Sequence, residues 1–201
     1  MGSSAVPMTE FVPLGYMAKK IADAPEELRQ HGVYDIYSLS PCMSDDFTDY
    51  VRFWKHNGYW LFNSPADITG VAQLADVSLE PTTLFYYEAY PQEYADGIWR
   101  AFYPEPSLTT TIVPISTRTH VGYDIVSFYA EAIPECSPLS CNLMATEIPV
   151  NQHCLLDDLD DALAYINSGT FDTCEPGPLR IIAVYLSGLS SGRGKRNALN
   201  A

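Results

Sequence analysis

The chain has 201 residues, 47% apolar and 12% aromatic, with 25 acidic against 11 basic side chains and a net charge of −14. That length suits one large domain or two small ones, with enough apolar content for a packed core. An acidic field repels nucleic-acid phosphates and anionic lipid, and no run reaches the ~18–20 apolar residues of a membrane span, so nucleic acid and membrane are excluded as partners.

Residues 1–13 read as an irregular N-terminus punctuated by Pro7 and Pro13, without the basic-then-apolar order of a secretory signal. Residues 14–30 read as two short helical pieces. Pro25 opens the second, Glu26 and Glu27 suit its positive end, and Gly32 stops it. Val33 to Leu39 alternates like a strand. Ser44 then caps a helix over 45–56 whose apolar stripe is Phe47, Tyr50, Val51 and Trp54, closed by Gly58. A short strand over 59–62 leads to a helix over 64–75, started by Ser64-Pro65.

Strands follow over 83–90 and 98–103, joined through the tight-turn pair Asp96-Gly97. Further strands are predicted over 108–115 and 121–129. Ser137-Pro138 starts a helix to about Thr146, and 151–155 reads as a short strand. A helix over 158–167 carries Leu159, Ala162, Leu163 and Ile166 inward, with Asp157, Asp158, Asp160 and Asp161 at its positive end. Residues 179–186 form a buried strand, and 188–201 a disordered basic tail with Arg193, Lys195 and Arg196.

These elements imply an α+β fold, a mixed β-sheet with helices packed on it, in one domain over 14–187. Residues 31–38, HGVYDIYS, also resemble 120–127, HVGYDIVS, and similar elements follow each. That pattern suggests a tandem βαβαβ duplication, with pseudo-repeats over 31–90 and 120–186 and a hairpin inserted over 91–118. Paired halves tend to leave a binding cleft at their seam.

The chemistry concentrates in Ile133 to Leu156, with Cys136, Cys141, His153 and Cys154. Five cysteines, odd in number and scattered, read as free thiols in a reducing compartment, the cytoplasm. As a zinc set the four fall short. Adjacent His153 and Cys154 on a strand point to opposite faces, so no metal and no cofactor are expected. Cys141 in the first turns of a helix, with His153 as base, forms the candidate catalytic pair. The aspartates at 157–161 lack the order of an EF-hand, and there is no P-loop, GxGxxG, HExxH or GxSxG.

Two functions therefore stand at this level. The favoured one is a non-catalytic acidic protein, of the immunity or inhibitor type, binding a basic protein through Tyr86, Glu88, Tyr90, Glu93, Tyr94, Asp96 and Trp99, because Tyr and Trp anchor interfaces. The alternative is a small thiol-dependent enzyme using Cys141 and His153.

Overall fold

Two antiparallel strands lie side by side at the middle of the sheet. They are β2 (Thr83–Ala95) and β6 (Leu179–Ser187), joined antiparallel. Outside them lie β1 (Val12–Lys19) against β2 and β4 (Arg118–Tyr129) against β6. The short β5 (Ile133–Pro134) extends β4, and β3 (Ile98–Ala101) folds back on β2. The order is β1-β2-β6-β4-β5, and each of these pairs is antiparallel. Among the described residues, four short helices accompany the sheet: α1 (Glu26–Arg29), α2 (Pro65–Ala75), α3 (Pro138–Cys141) and α4 (Leu159–Asn167). The fold is α+β. This computed structural model describes residues 10–43, 57, 59–102, 112, 114–129 and 133–188.

Strand periodicity separates two cores. In β6, Ile182 and Val184 face one, with Tyr16, Phe62 and Phe85, while Leu179 and Ile181 face the other, with Leu28, Leu139 and Ile166. The start of α2 follows its sequence signal. Ser64 Oγ accepts from the Asp67 amide, with Pro65 at the first helical position. The Asp96-Gly97 turn has both residues at positive φ, 52° and 80°, as a two-residue hairpin requires.

Several expectations change. Residues 12–19, read as irregular and then helical, form strand β1. Residues 33–39 make no strand, only an isolated bridge from Asp35 to Asp23. Their backbone turns to other partners: Tyr34 and Asp35 donate to the Gln152 carbonyl, and Tyr37 to that of His153. Residues 59–62 and 151–155 are loops that touch the sheet through the bridges Tyr16–Phe62 and Tyr123–Leu156. The helix from Pro138 stops at Cys141, and Leu143 at φ 59° separates it from a 3₁₀ turn at Met144–Thr146. The helix predicted over 45–56, its cap Ser44, its stop Gly58 and the tail beyond Gly188 lie outside the described residues, as does most of the strand predicted over 108–115, whose described residues 112, 114 and 115 are in no strand.

The alignment of 31–38 with 120–127 does not hold, since a loop stands against strand β4. A local arrangement does recur in a different register. Gly15 in β1 and Gly122 in β4 each sit at a bulge, at φ 133° and 139°. Each precedes a tyrosine, Tyr16 or Tyr123, that exchanges two backbone hydrogen bonds with Phe62 or Leu156 at 2.8–2.9 Å. Each is crossed by a loop built on an asparagine. Asn57 Nδ2 donates to the Leu14 carbonyl at 2.7 Å and Asn151 Nδ2 to that of Val121 at 2.9 Å. Their Oδ1 atoms accept from the amides of Tyr59 and Leu61, and of His153 and Leu155. Trp60 and Cys154 hold the same left-handed position, φ 60° and 61°. A helix and then a central strand follow each loop.

Candidate metal centre

Lys19, the last residue of β1, is 2% exposed. A buried ammonium is stable only where polar groups replace its water. Here its Nζ donates to three consecutive carbonyls, Ser38 at 2.8 Å, Leu39 at 3.1 Å and Ser40 at 2.9 Å. Asp124 in β4 is fully buried and grips the same segment from the other side. Its Oδ2 accepts from Ser38 Oγ at 2.6 Å and the Leu39 amide at 3.1 Å, and its Oδ1 from Ser137 Oγ at 2.6 Å. Burial pushes the Asp124 carboxyl up; the hydrogen bonds from Ser137, Ser38 and Leu39 and the nearby Lys19 pull it back down. Ser137 therefore spends its hydroxyl on Asp124 and gives α3 no side-chain cap.

The anchored segment leads straight to a cysteine. Ser40 Oγ donates to the Glu135 carbonyl at 2.7 Å, accepts from the Cys42 amide at 3.2 Å and lies 3.8 Å from Cys141 Sγ. Cys42 Sγ donates to the same Glu135 carbonyl at 3.2 Å. On the far side, Cys136 is pinned to β4, its amide donating to Ser127 Oγ at 3.3 Å and its carbonyl accepting from the Ser127 amide at 2.9 Å. One turn of α3 brings Cys141 back over it. The Sγ atoms of Cys42, Cys136 and Cys141 all lie within 4.8 Å of one another. Tetrahedral Zn–S bonds of about 2.3 Å place sulfurs roughly 3.8 Å apart, so closing onto a cation takes a shift of about an ångström or less.

The three differ in access: Cys136 is buried, Cys141 half-buried and Cys42 exposed. Burial, then the Cys141 thiol beside it, pushes the Cys136 thiol up, and burial also pushes up Cys141. The thiolate expected at a helix N-terminus is therefore not what Cys141 offers. It sits at the last position of a four-residue helix, and its environment favours the thiol.

His153 is held elsewhere. Its Nδ1 lies 2.6 Å from Asp35 Oδ1, and its ring stacks on Tyr37 at 4.0 Å. Cys154 is sealed in the second core, where burial raises its thiol. Of the four residues weighed for a metal, the structure keeps Cys136 and Cys141 together and supplies Cys42 in place of His153 and Cys154. The one sequence hint toward Cys42 was its setting: Ser38-Leu-Ser-Pro-Cys42 echoes Ser137-Pro-Leu-Ser-Cys141.

Of the seven residues expected to face a basic partner, Tyr86 and Glu88 are buried, while Tyr90, Glu93, Tyr94 and Trp99 are half-buried. Tyr86 is fully buried, and its hydroxyl donates to Glu88, which is itself buried and paired with Arg118 at 2.7 Å. Glu93 pairs with Arg180 at 2.7 Å. Tyr90 and Tyr94 pack edge-on against Trp99, whose Nε1 donates to Asn167. Asp96 alone of the seven is exposed, in an ion pair with Arg100. No protein-family model, curated protein or solved structure matches this chain.

Proposed function

We propose that the protein binds a thiophilic cation, Zn²⁺ first, through Cys42, Cys136 and Cys141. The observation that carries this reading is the meeting of three sulfurs from two distant segments, one of which, the loop that brings Cys42, is held by a buried lysine and a buried aspartate. Thiolates select zinc and softer ions over calcium or magnesium. Such a cation would tie the 38–42 loop to β4 and α3, adding binding free energy to folding. This reading uses both thiols beside Cys141, a cluster that does not include His153, whose Nδ1 lies on Asp35.

The test is zinc titration of the reduced protein against a chromogenic chelator. One equivalent is expected to bind. Cys42→Ser, Cys136→Ser and Cys141→Ser should each weaken binding by more than the roughly 10–100-fold that an outer-shell partner costs, and Cys174→Ser should leave it unchanged. The cation displaces thiol protons, so affinity rises with pH, about tenfold per pH unit for each proton released. Binding that survives all three serine variants, or is flat with pH, defeats the reading.

A second reading, an acidic protein for a basic protein partner, draws on the net charge of −14 and on the exposed Asp157, Asp158, Asp160 and Asp161. It expects an association rate that falls steeply with added salt. Stopped-flow mixing with a candidate basic partner measures this, and a salt-independent rate counts against it.

A further inference from the structure

Three sulfurs leave a four-coordinate cation one ligand short. Ser40 is a polar side chain beside the cluster, its Oγ within reach of Cys141 Sγ. It is 0% exposed, and almost all of its bonding capacity is assigned. Its amide donates to Ser38 Oγ at 2.9 Å, and its carbonyl accepts from Lys19 Nζ at 2.9 Å. Its hydroxyl hydrogen goes to the Glu135 carbonyl, and one oxygen lone pair takes the Cys42 amide. A hydroxyl has a second lone pair. The oxygen lies 3.8 Å from Cys141 Sγ, close to the roughly 3.5 Å between an oxygen and a sulfur ligand on one tetrahedral zinc. A cysteine that ligates as thiolate has no S–H to give, so the Ser40 lone pair is left to the cation. The backbone around it is anchored at both charged ends, by Lys19 and, through Ser38, by Asp124. The oxygen is thus fixed before any ion arrives, which is what an outer shell does for a ligand.

Resting on the metal reading above, we infer that Ser40 Oγ is the fourth donor. The site is three thiolates and one neutral oxygen, suited to a divalent four-coordinate cation of the zinc or cobalt class, and less to a monovalent ion content with three sulfurs. Cys42 and Ser40 come from one loop and Cys136 and Cys141 from the other side, so the cation would clasp the seam with two ligands from each.

Co²⁺ added to the reduced full chain is the probe, because its visible bands report four-coordination and its sulfur charge-transfer band scales with the number of thiolates. Ser40→Cys, close to isosteric, is expected to raise charge-transfer intensity by about a third, as three sulfurs become four, and to bind Co²⁺ more tightly. Ser40→Ala is expected to weaken Co²⁺ binding at least about tenfold. Circular dichroism of both cation-free variants should match the parent. If the parent binds Co²⁺ but Ser40→Cys leaves the charge-transfer band unchanged, Ser40 is not a ligand and the three-cysteine reading stands without it. If the parent binds neither Co²⁺ nor Zn²⁺, both fall.

Discussion

Lys19→Met unfolds at markedly lower denaturant, with a loss of about 3 kcal/mol or more, because it strips the donor from three buried carbonyls at once. The cause is not the lost ammonium alone. Three carbonyls, of Ser38, Leu39 and Ser40, lose their donor where water does not reach, and each buried unsatisfied acceptor costs on the order of 1 kcal/mol or more. Asp124 is left as a buried carboxyl with hydroxyl and amide donors but without the cation. A double variant, Lys19→Met with Asp124→Asn, should therefore lose less than the sum of the two single changes, because both side chains hold the same segment. Urea melts followed by tryptophan fluorescence measure all three. A loss below about 1 kcal/mol for Lys19→Met would mean that the carbonyls find other donors and that the loop does not depend on the lysine.

The second large effect is expected at the paired glycines. At Gly15 a Cβ would stand 2.5 Å from the Phe62 carbonyl oxygen, and at Gly122 2.8 Å from both Leu155 Cβ and the Leu156 oxygen. Their φ angles lie where side chains are strained, at a cost of about 1–3 kcal/mol, and overpacking adds a similar amount. Gly15→Ala and Gly122→Ala are each expected to cost on the order of 3 kcal/mol or more. Gly97→Ala supplies the contrast: its φ is also positive, at 80°, but nothing lies within 4 Å of its Cβ, so about 1 kcal/mol is expected. Equal thermal shifts for all three would mean that the crossing loops move aside freely and that close approach does not drive the requirement for glycine.

The parts of the fold that the sequence displays are those whose pattern reflects their own environment. β6 is a run of apolar β-branched and aliphatic residues at the sheet centre. α2 carries its cap and first-turn proline, and Asp96-Gly97 can hardly be anything but a hairpin turn. β1 and the 33–39 loop exchange appearances for a physical reason. Leu14 to Lys19 is buried throughout, so it lacks the alternation that marks a half-buried strand, and an unbroken apolar run is also compatible with a helix. Val33 to Leu39 alternates, but its polar positions are turned toward other chain segments, Asp35 to His153 and Ser38 to Asp124. The candidate site divides the same way. Cys136 and Cys141 are neighbours in sequence and were visible as a pair. Cys42 joins them only because the loop crosses to β4, and no local pattern encodes a crossing.

That crossing also fixes when the loop can form. Lys19 and Asp124 stand in β1 and β4, which β2 and β6 separate in the sheet, and the Ser38–Asp124 bond closes 86 residues of chain. The loop has both anchors only after the four strands have assembled, so it docks late on the folding route, when most of the loop-closure entropy has already been spent. A segment that docks last is commonly the first to come away in partial opening of the native state. The Leu39 amide, held across the seam, and the Cys42 amide, held on Ser40 within the loop, should accordingly exchange with solvent ahead of those in β2 and β6, and a cation bound on both sides of the seam would bring the two rates together.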